Sequence, residues 1–468
     1  FQTDVLEFQG YLASADIFPD IEENLKVQPD YSLGFITSTP AAGYPAYKNK
    51  GVYYSDIMLS NKGLRGSGSL EYLTSTSWSK DFIFFPDSSV ALAQNFMIRE
   101  QMTPVEYPAV KGLEVKEKWL PYENRMVLRK TDFPFTMYNQ QSQLHGVLVL
   151  TPGELYGGGQ MVFEDALMEA RMYNFRHHEF MSDTADFTLK TIDKMKVAFS
   201  TRNYRSHINF QERRGDFVSN GGVSVADFPV NQYICLIDEY QWFMDSYEIA
   251  MGSEETAAEM ASYDNLTIRE LVDVNLKGSE FISVHPEQDS LRFIATTATY
   301  NLKDNIIHAN DVKYIRVADA AIFPADKKVD IGENAELKTF MDARILANTV
   351  TKYHELYESM VDIYSRKKYQ AIGHYDYVDE TGYKQRIKMN KVSVDSSYQT
   401  VGTGHISDSL GFTLSNDFDF AGDVKLQAGR EFMTFDGGFR IRHTCSPGKR
   451  SWVNFISEID PEDIMIAI

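Results

Sequence analysis

Four short segments carry residues of types and spacing that could do chemistry. The densest is His177-His178-Glu179. A zinc peptidase sets two histidines four residues apart on one helix face with a glutamate between them. Here the histidines are adjacent, so the cluster reads as a polar strand, His177 and Glu179 on one face and His178 on the other. Asp417-Phe418-Asp419-Phe420-Ala421-Gly422-Asp423 has the oxygen density of a calcium loop, yet the interposed rings fit a strand with Asp outside and Phe inside. Gly66/Gly68 and Gly157/Gly159 have the look of phosphate loops. Neither has the third glycine with a following helix, nor the Lys-Ser/Thr of a P-loop, so both read as strands entering tight bends.

The remaining chemistry is sparser. No Gly-x-Ser-x-Gly elbow is present. Cys235 lies in the apolar run 233–237, and it and Cys445 read as buried free thiols with no metal spacing. Carboxylate pairs of the glycosidase kind meet in space rather than in sequence, so none is singled out among 66 acids. Asn265-Leu266-Thr267 is a bare glycosylation sequon. Tyr53, Tyr54, Trp78, Tyr107, Trp119, Tyr122, Tyr375 and Tyr377 are candidate sugar-stacking rings, with core packing as the ordinary alternative. The sequence thus assigns no catalytic residue, no cofactor and no metal ligand, and its balance is against an enzyme.

The glycine pairs belong to a larger pattern. Leu59, Ser60, Leu64, Gly66, Gly68, Leu70 and Tyr72 are matched, 91 positions on, by Leu150, Thr151, Leu155, Gly157, Gly159, Met161 and Phe163. Phe82 and Phe84 continue the match at Tyr173 and Phe175. A fixed-period echo points to repeated β layers, in which the two glycine patterns hold equivalent places.

The elements around it are strand-like. Residues 1–60 read as short strands broken by Pro and Gly, and alternation of period two recurs through 163–250 and 361–442. The stretch 253–272 begins Ser-Glu-Glu, is rich in Ala and reads as one or two short helices. Residues 335–360 fit either periodicity. Alternation on both flanks and the run Asn348-Thr349-Val350-Thr351 favour strands. Asp379-Glu380-Thr381-Gly382 and Ser219-Asn220-Gly221-Gly222 read as hairpin turns.

Composition bounds the rest. A chain of 468 residues with 43% hydrophobic and 13% aromatic residues builds a large core. Its net charge of −20 opposes a nucleic-acid partner. No run reaches the ~20 apolar residues of a spanning helix. The first residue is Phe1, and the apolar Ile464–Ile468 ends the chain, so it reads as a piece of a longer polypeptide.

The run LRFIATTATYNL, then IIHANDVKYI and KKVDIGENAEL, resembles OstA-like β-jellyroll proteins of lipopolysaccharide transport and parallel β-helix rungs, over about 285–380. DTADFTLK and FVSNGGVS resemble segments of very large Gram-negative envelope proteins. The resemblance implies an extracytoplasmic home and carries no catalytic residues. The resulting expectation is a mainly β fold of repetitive stacked layers (β-solenoid, β-helix or elongated jellyroll) with few short helices. Two regions are expected, 1–280 and 281–468. The expected role is a scaffold or surface-binding segment whose partners are other protein segments or envelope components. A polysaccharide-binding or polysaccharide-degrading module, or a lipid-handling trough, is the alternative.

Overall fold

The computed structural model describes residues 7–28, 31–221, 224–252, 254–442 and 451–466. The chain is 60% strand and 7% helix, with its strands joined in one large antiparallel sheet. It divides into two units. The first comprises Phe1–Met195, Ser200–Gly222 and Trp242–Ser246, and the second Lys196–Phe199, Val223–Gln241 and Tyr247–Ile468.

Within the first unit the 91-residue echo is a repeat of strand register. Strand Gly63–Tyr72 lies between Gly51–Ser60 and Ser75–Phe84. Strand Leu155–Phe163 lies likewise between Ser142–Leu150 and Ala166–Phe175. Ile57 faces Gly66 as Leu148 faces Gly157. Leu64 faces Phe84 as Leu155 faces Phe175, and Gly68 faces Ser79 as Gly159 faces Ala170. Both sets slip register between their two glycines, so the same β-bulge recurs.

That bulge corrects the reading of the glycines as strand ends. They sit in mid-strand, where neighbouring backbone comes too close for a side chain. A Cβ on Gly157 would overlap the Val147 carbonyl, and one on Gly68 the Tyr54 carbonyl. Positive φ is the requirement at Gly159 (+133°) but not at Gly157.

The repeat extends to loops and to packing. Tyr47, Lys48 and Asn49 have φ of 47°, 56° and 65°, and Tyr138, Asn139 and Gln140 have 53°, 54° and 77°. Three successive left-handed non-glycine residues are costly, so a shared constraint holds both turns. That constraint is a buried phenol. Tyr47 Oη donates to the Ser88 carbonyl at 2.6 Å, and Tyr138 Oη to the Glu179 carbonyl at 2.8 Å, again 91 apart. An incoming ring then seats on each set. Trp119 packs on Tyr47 and Tyr72 with centroids at 5.1 and 5.2 Å. Phe210 packs on Tyr138 and Phe163 at 4.7 and 5.7 Å.

In the second unit, hairpins alternate between two ladders. One runs Tyr233–Leu236, Ser279–Ser283, Arg292–Ala295, Ile315–Val317, Ala320–Phe323 and Phe340–Leu346. The other runs Glu248–Met251, Thr297–Asn301, Ile306–Asn310 and Lys328–Ile331. From Glu355 to Ile441 the chain then forms a meander of paired strands, to which Val453–Ile459 adds a further strand. The ambiguous 335–360 is therefore strand, as Phe340–Leu346 and Glu355–Ser365.

The expected helices are Glu254–Ala261 and Ile268–Leu271. The second buries Ile268 and Leu271 against Ala321, Phe323 and Leu346. Its start is fixed by a capping box of Thr267 and Glu270, which gives the sequon threonine a structural task. Among the described residues no helix is long and apolar enough to cross a membrane.

Candidate functional site

Two places combine polar side chains in a way that core packing does not explain. The first is inside the repeated unit. Strand Val110–Leu120 turns Val115, Glu117 and Trp119 inward and Lys116 and Lys118 outward. Glu117 is 3% exposed. Ser77 Oγ donates to its Oε2, while Oε1 has no protein partner. Burial raises the Glu117 carboxyl from its ordinary 4.5 to about 7, the Ser77 hydrogen bond opposing this only in part. Trp119 Nε1, two residues along the strand, is also buried without a protein partner, as are Tyr72 Oη, on a ring packed against Trp119, and Ser89 Oγ, directly across from Trp119 on the next strand. Ser75, Ser77 and Ser79 are buried beside them.

The repeat supplies an internal comparison. At an offset of 91, Ser75, Ser77, Ser79, Ser89 and Glu117 correspond to Ala166, Met168, Ala170, Phe180 and Ile208. All five of the latter are buried apolar residues. The same framework therefore closes over hydrocarbon in one copy and over hydroxyls and an acid in the other. Burying polar groups without partners costs about 1–3 kcal/mol each, so this difference opposes stability.

The second place is a trough on the meander of the other unit, enclosing about 940 Å³. Its floor is strand Lys384–Val394, which buries Ile387 and Met389 and exposes Lys384, Arg386, Lys388 and Asn390 in alternation. His374 pairs across from Lys388 on the neighbouring strand, and His405 stands on the other side. The turn at its mouth is held by Asp379, whose Oδ1 accepts from Thr381 N, Thr381 Oγ1 and Tyr383 N at 2.9, 2.6 and 3.0 Å. The Thr381 hydroxyl is the main cause that keeps this carboxyl below its usual range. The opposite rim is pinned by Gln385, whose Nε2 donates to Thr413 O at 2.6 Å while its Oε1 accepts from Thr413 N at 2.9 Å.

The cations of the trough differ in their company. Arg386 reaches Glu358 at 3.1 Å and lies over the Tyr357 ring at 5.2 Å. His405 Nδ1 is 2.6 Å from Asp423 Oδ1, and Arg442 Nε is 3.2 Å from Asp419 Oδ1. Among the described residues Lys384 and Lys388 have no ion-pair partner.

Comparison of the chain with protein-family models, curated proteins and solved structures finds no match.

The residues singled out from sequence fall mostly outside both places. His177 and His178 lie in the bend between strands Ala166–Phe175 and Glu179–Lys190, not on a strand. The Arg176 N to Glu179 O hydrogen bond closes that bend, and the two rings meet at 3.8 Å. Glu179 instead pairs with His207 at 2.8 Å. Asp419 accepts from Arg440 at 2.8 Å, so that acidic strand is engaged in ion pairs. Among the described residues no group of three His, Cys, Asp or Glu is placed to hold a metal. Tyr53, Tyr107, Trp119 and Tyr377 are core, whereas Trp78 and Tyr122 are exposed. Cys235 is a buried free thiol, whose pKa burial raises further, and Cys445 lies outside the described residues.

Sequence reasoning missed Glu117 and the Lys384/Arg386/Lys388 stripe. Signals for both were present. Glu117 holds the apolar parity of its strand between Val115 and Trp119, and its counterpart at the repeat offset is Ile208. The stripe is a plain cation-at-every-second-residue alternation.

Proposed function

We propose that this chain is a structural, surface-presenting segment of a large repetitive extracytoplasmic β-protein, in which successive layers stack as a solenoid or elongated jellyroll. One observation carries the reading. Strand register, bulge, left-handed turn, phenol anchor and incoming ring all recur at one offset of 91 residues. A layer that repeats its contacts as well as its outline accepts another like it, and extended surface is the product of such growth. Most of the apolar residues in the two copies are committed to that packing.

The test is excision in register. Removing residues 56–146 joins Ser55 to Val147 in mid-strand, leaves the second unit intact and brings Phe210 onto Tyr47 in place of Tyr138, with Phe163 still beside it. The shortened chain is expected to stay monodisperse, with a β-type far-UV spectrum and a cooperative melt. Removing 56–145 instead joins Ser55 to Gly146, turns Leu148 and Leu150 to the face opposite Tyr53 and is expected to abolish folding. Equal behaviour of the two deletions would sink the layered reading.

A further inference from the structure

We propose that the trough floored by Lys384, Arg386 and Lys388 is a binding site for an acidic polysaccharide, taken up through its carboxylates. This goes beyond the scaffold reading, which names no ligand.

The argument begins with strand geometry. Residues two apart on one face of a strand are about 6.7 Å apart, so the three cations form a row about 13 Å long. Two of the three, Lys384 and Lys388, have no carboxylate partner among the described residues, in a chain with 66 acids against 46 bases. Their ammonium groups are therefore open to an incoming carboxylate, whereas that of Lys338 is taken up by Asp330 at 2.7 Å. The middle cation is different. Arg386 is fixed by the Tyr357 ring, by the Tyr357 hydroxyl at 3.1 Å and by Glu358. A guanidinium already oriented loses less freedom when it meets a carboxylate.

The walls suit a sugar. Gln385 ties the rim at Thr413 to the floor, so the width is set by the fold rather than by a loose loop. Tyr383 stands at the mouth, 62% exposed, and offers a ring face for a pyranose. Asn390 supplies a neutral amide for hydroxyl groups at the far end of the row.

Charge separates the glycan from a nucleic acid. Lys384 and Lys388 leave two unpaired positive charges, one on each side of the Arg386–Glu358 pair, on a chain of net charge −20. A long phosphate backbone would leave the row and meet the acidic surface, whereas a short uronate oligomer fits within it. Among the described residues the exposed rings lining the trough are Tyr383 and His405, and His405 is already held by Asp423, which leaves too few for the successive base stacking that single strands need.

The experiment uses the full chain and oligogalacturonate of defined length, with neutral oligosaccharide, inorganic phosphate and single-stranded oligodeoxynucleotide as the other probes. Calorimetric titration is expected to show oligogalacturonate binding that weakens with salt. The double variant Lys384→Ala/Lys388→Ala is expected to lose about tenfold in affinity or more. Lys384→Arg/Lys388→Arg is expected to retain it. Both pairs are exposed, and unchanged far-UV spectra and melting midpoints certify the fold. No oligogalacturonate binding, or equal binding by the Ala pair, overturns the site. Binding of phosphate or oligodeoxynucleotide as tight as that of oligogalacturonate overturns the glycan assignment.

Discussion

Replacing Glu117 by Gln changes the pH dependence of stability in a direction that follows from its burial. The native carboxyl titrates at about 7 against 4.5 when free. Below pH 4.5 the native and unfolded chains both hold this proton, and ionisation contributes nothing. Between 4.5 and 7 the unfolded chain has released the proton and the native chain has not. The unfolded state then binds fewer protons, so stability falls as pH rises, by about 1.4 kcal/mol per pH unit. Above 7 both are ionised and the loss levels off at about 3 kcal/mol. The neutral amide of the variant carries no such slope. The difference between wild type and Glu117→Gln is therefore flat in acid, falls through pH 4.5–7 and is flat again at pH 8. Urea unfolding of both proteins at each pH supplies that difference, in which every other titrating group cancels. Infrared spectroscopy supplies a direct check, because a protonated-carboxyl stretch missing from the variant should persist at pH 6. A stability difference that stays level from pH 4.5 to 8 would refute the reasoning.

Two further outcomes test the repeat. Gly157→Ala drives a Cβ into the Val147 carbonyl and should cost about 1–3 kcal/mol, whereas Gly153→Ala, with open space around it, should be near neutral in a melting assay. Tyr47→Phe removes a phenol that donates to the Ser88 carbonyl with the Phe85 carbonyl as a second acceptor, and Tyr138→Phe one that donates to the Glu179 carbonyl. Each should cost about 1–2 kcal/mol in urea unfolding, and a large inequality between them would mean that the two turns are not equivalent.

The repeat was legible because its causes are local. Close backbone approach demands glycine at the bulge whatever the partner, and the buried parity of Leu64, Leu70 and Tyr72 repeats as Leu155, Met161 and Phe163. The short helix at Ile268 was legible for a similar reason, since Thr267 and Glu270 write its start into four residues. His177 and His178 were misplaced because alternation does not mark where a hairpin bends, and only the pairing of Ala166–Phe175 with Glu179–Lys190 does. The polar interior was harder still. Ser77 and Glu117 are 40 residues apart and belong to different strands, so their meeting depends on register set elsewhere. The trough shares that difficulty. Its cations alternate visibly, but the walls come from a turn at Asp379 and a rim at Thr413 that only the meander brings together.

Two strand sets this alike, tethered on one chain, pose a sorting problem during folding. Strand Ser75–Phe84 and its counterpart Ala166–Phe175 share register, bulge and most of their buried parity, so each is a decoy for the other's neighbours. The Ser77–Glu117 pair breaks that symmetry. In an exchanged assembly Glu117 would face Met168, lose its hydroxyl and stay buried, a penalty of about 1–3 kcal/mol at a single position. The acid that weakens the first copy thus also addresses it. Stability is given up for one sorted order of layers, the exchange by which sequences with near-identical parts are kept from folding to a mixture.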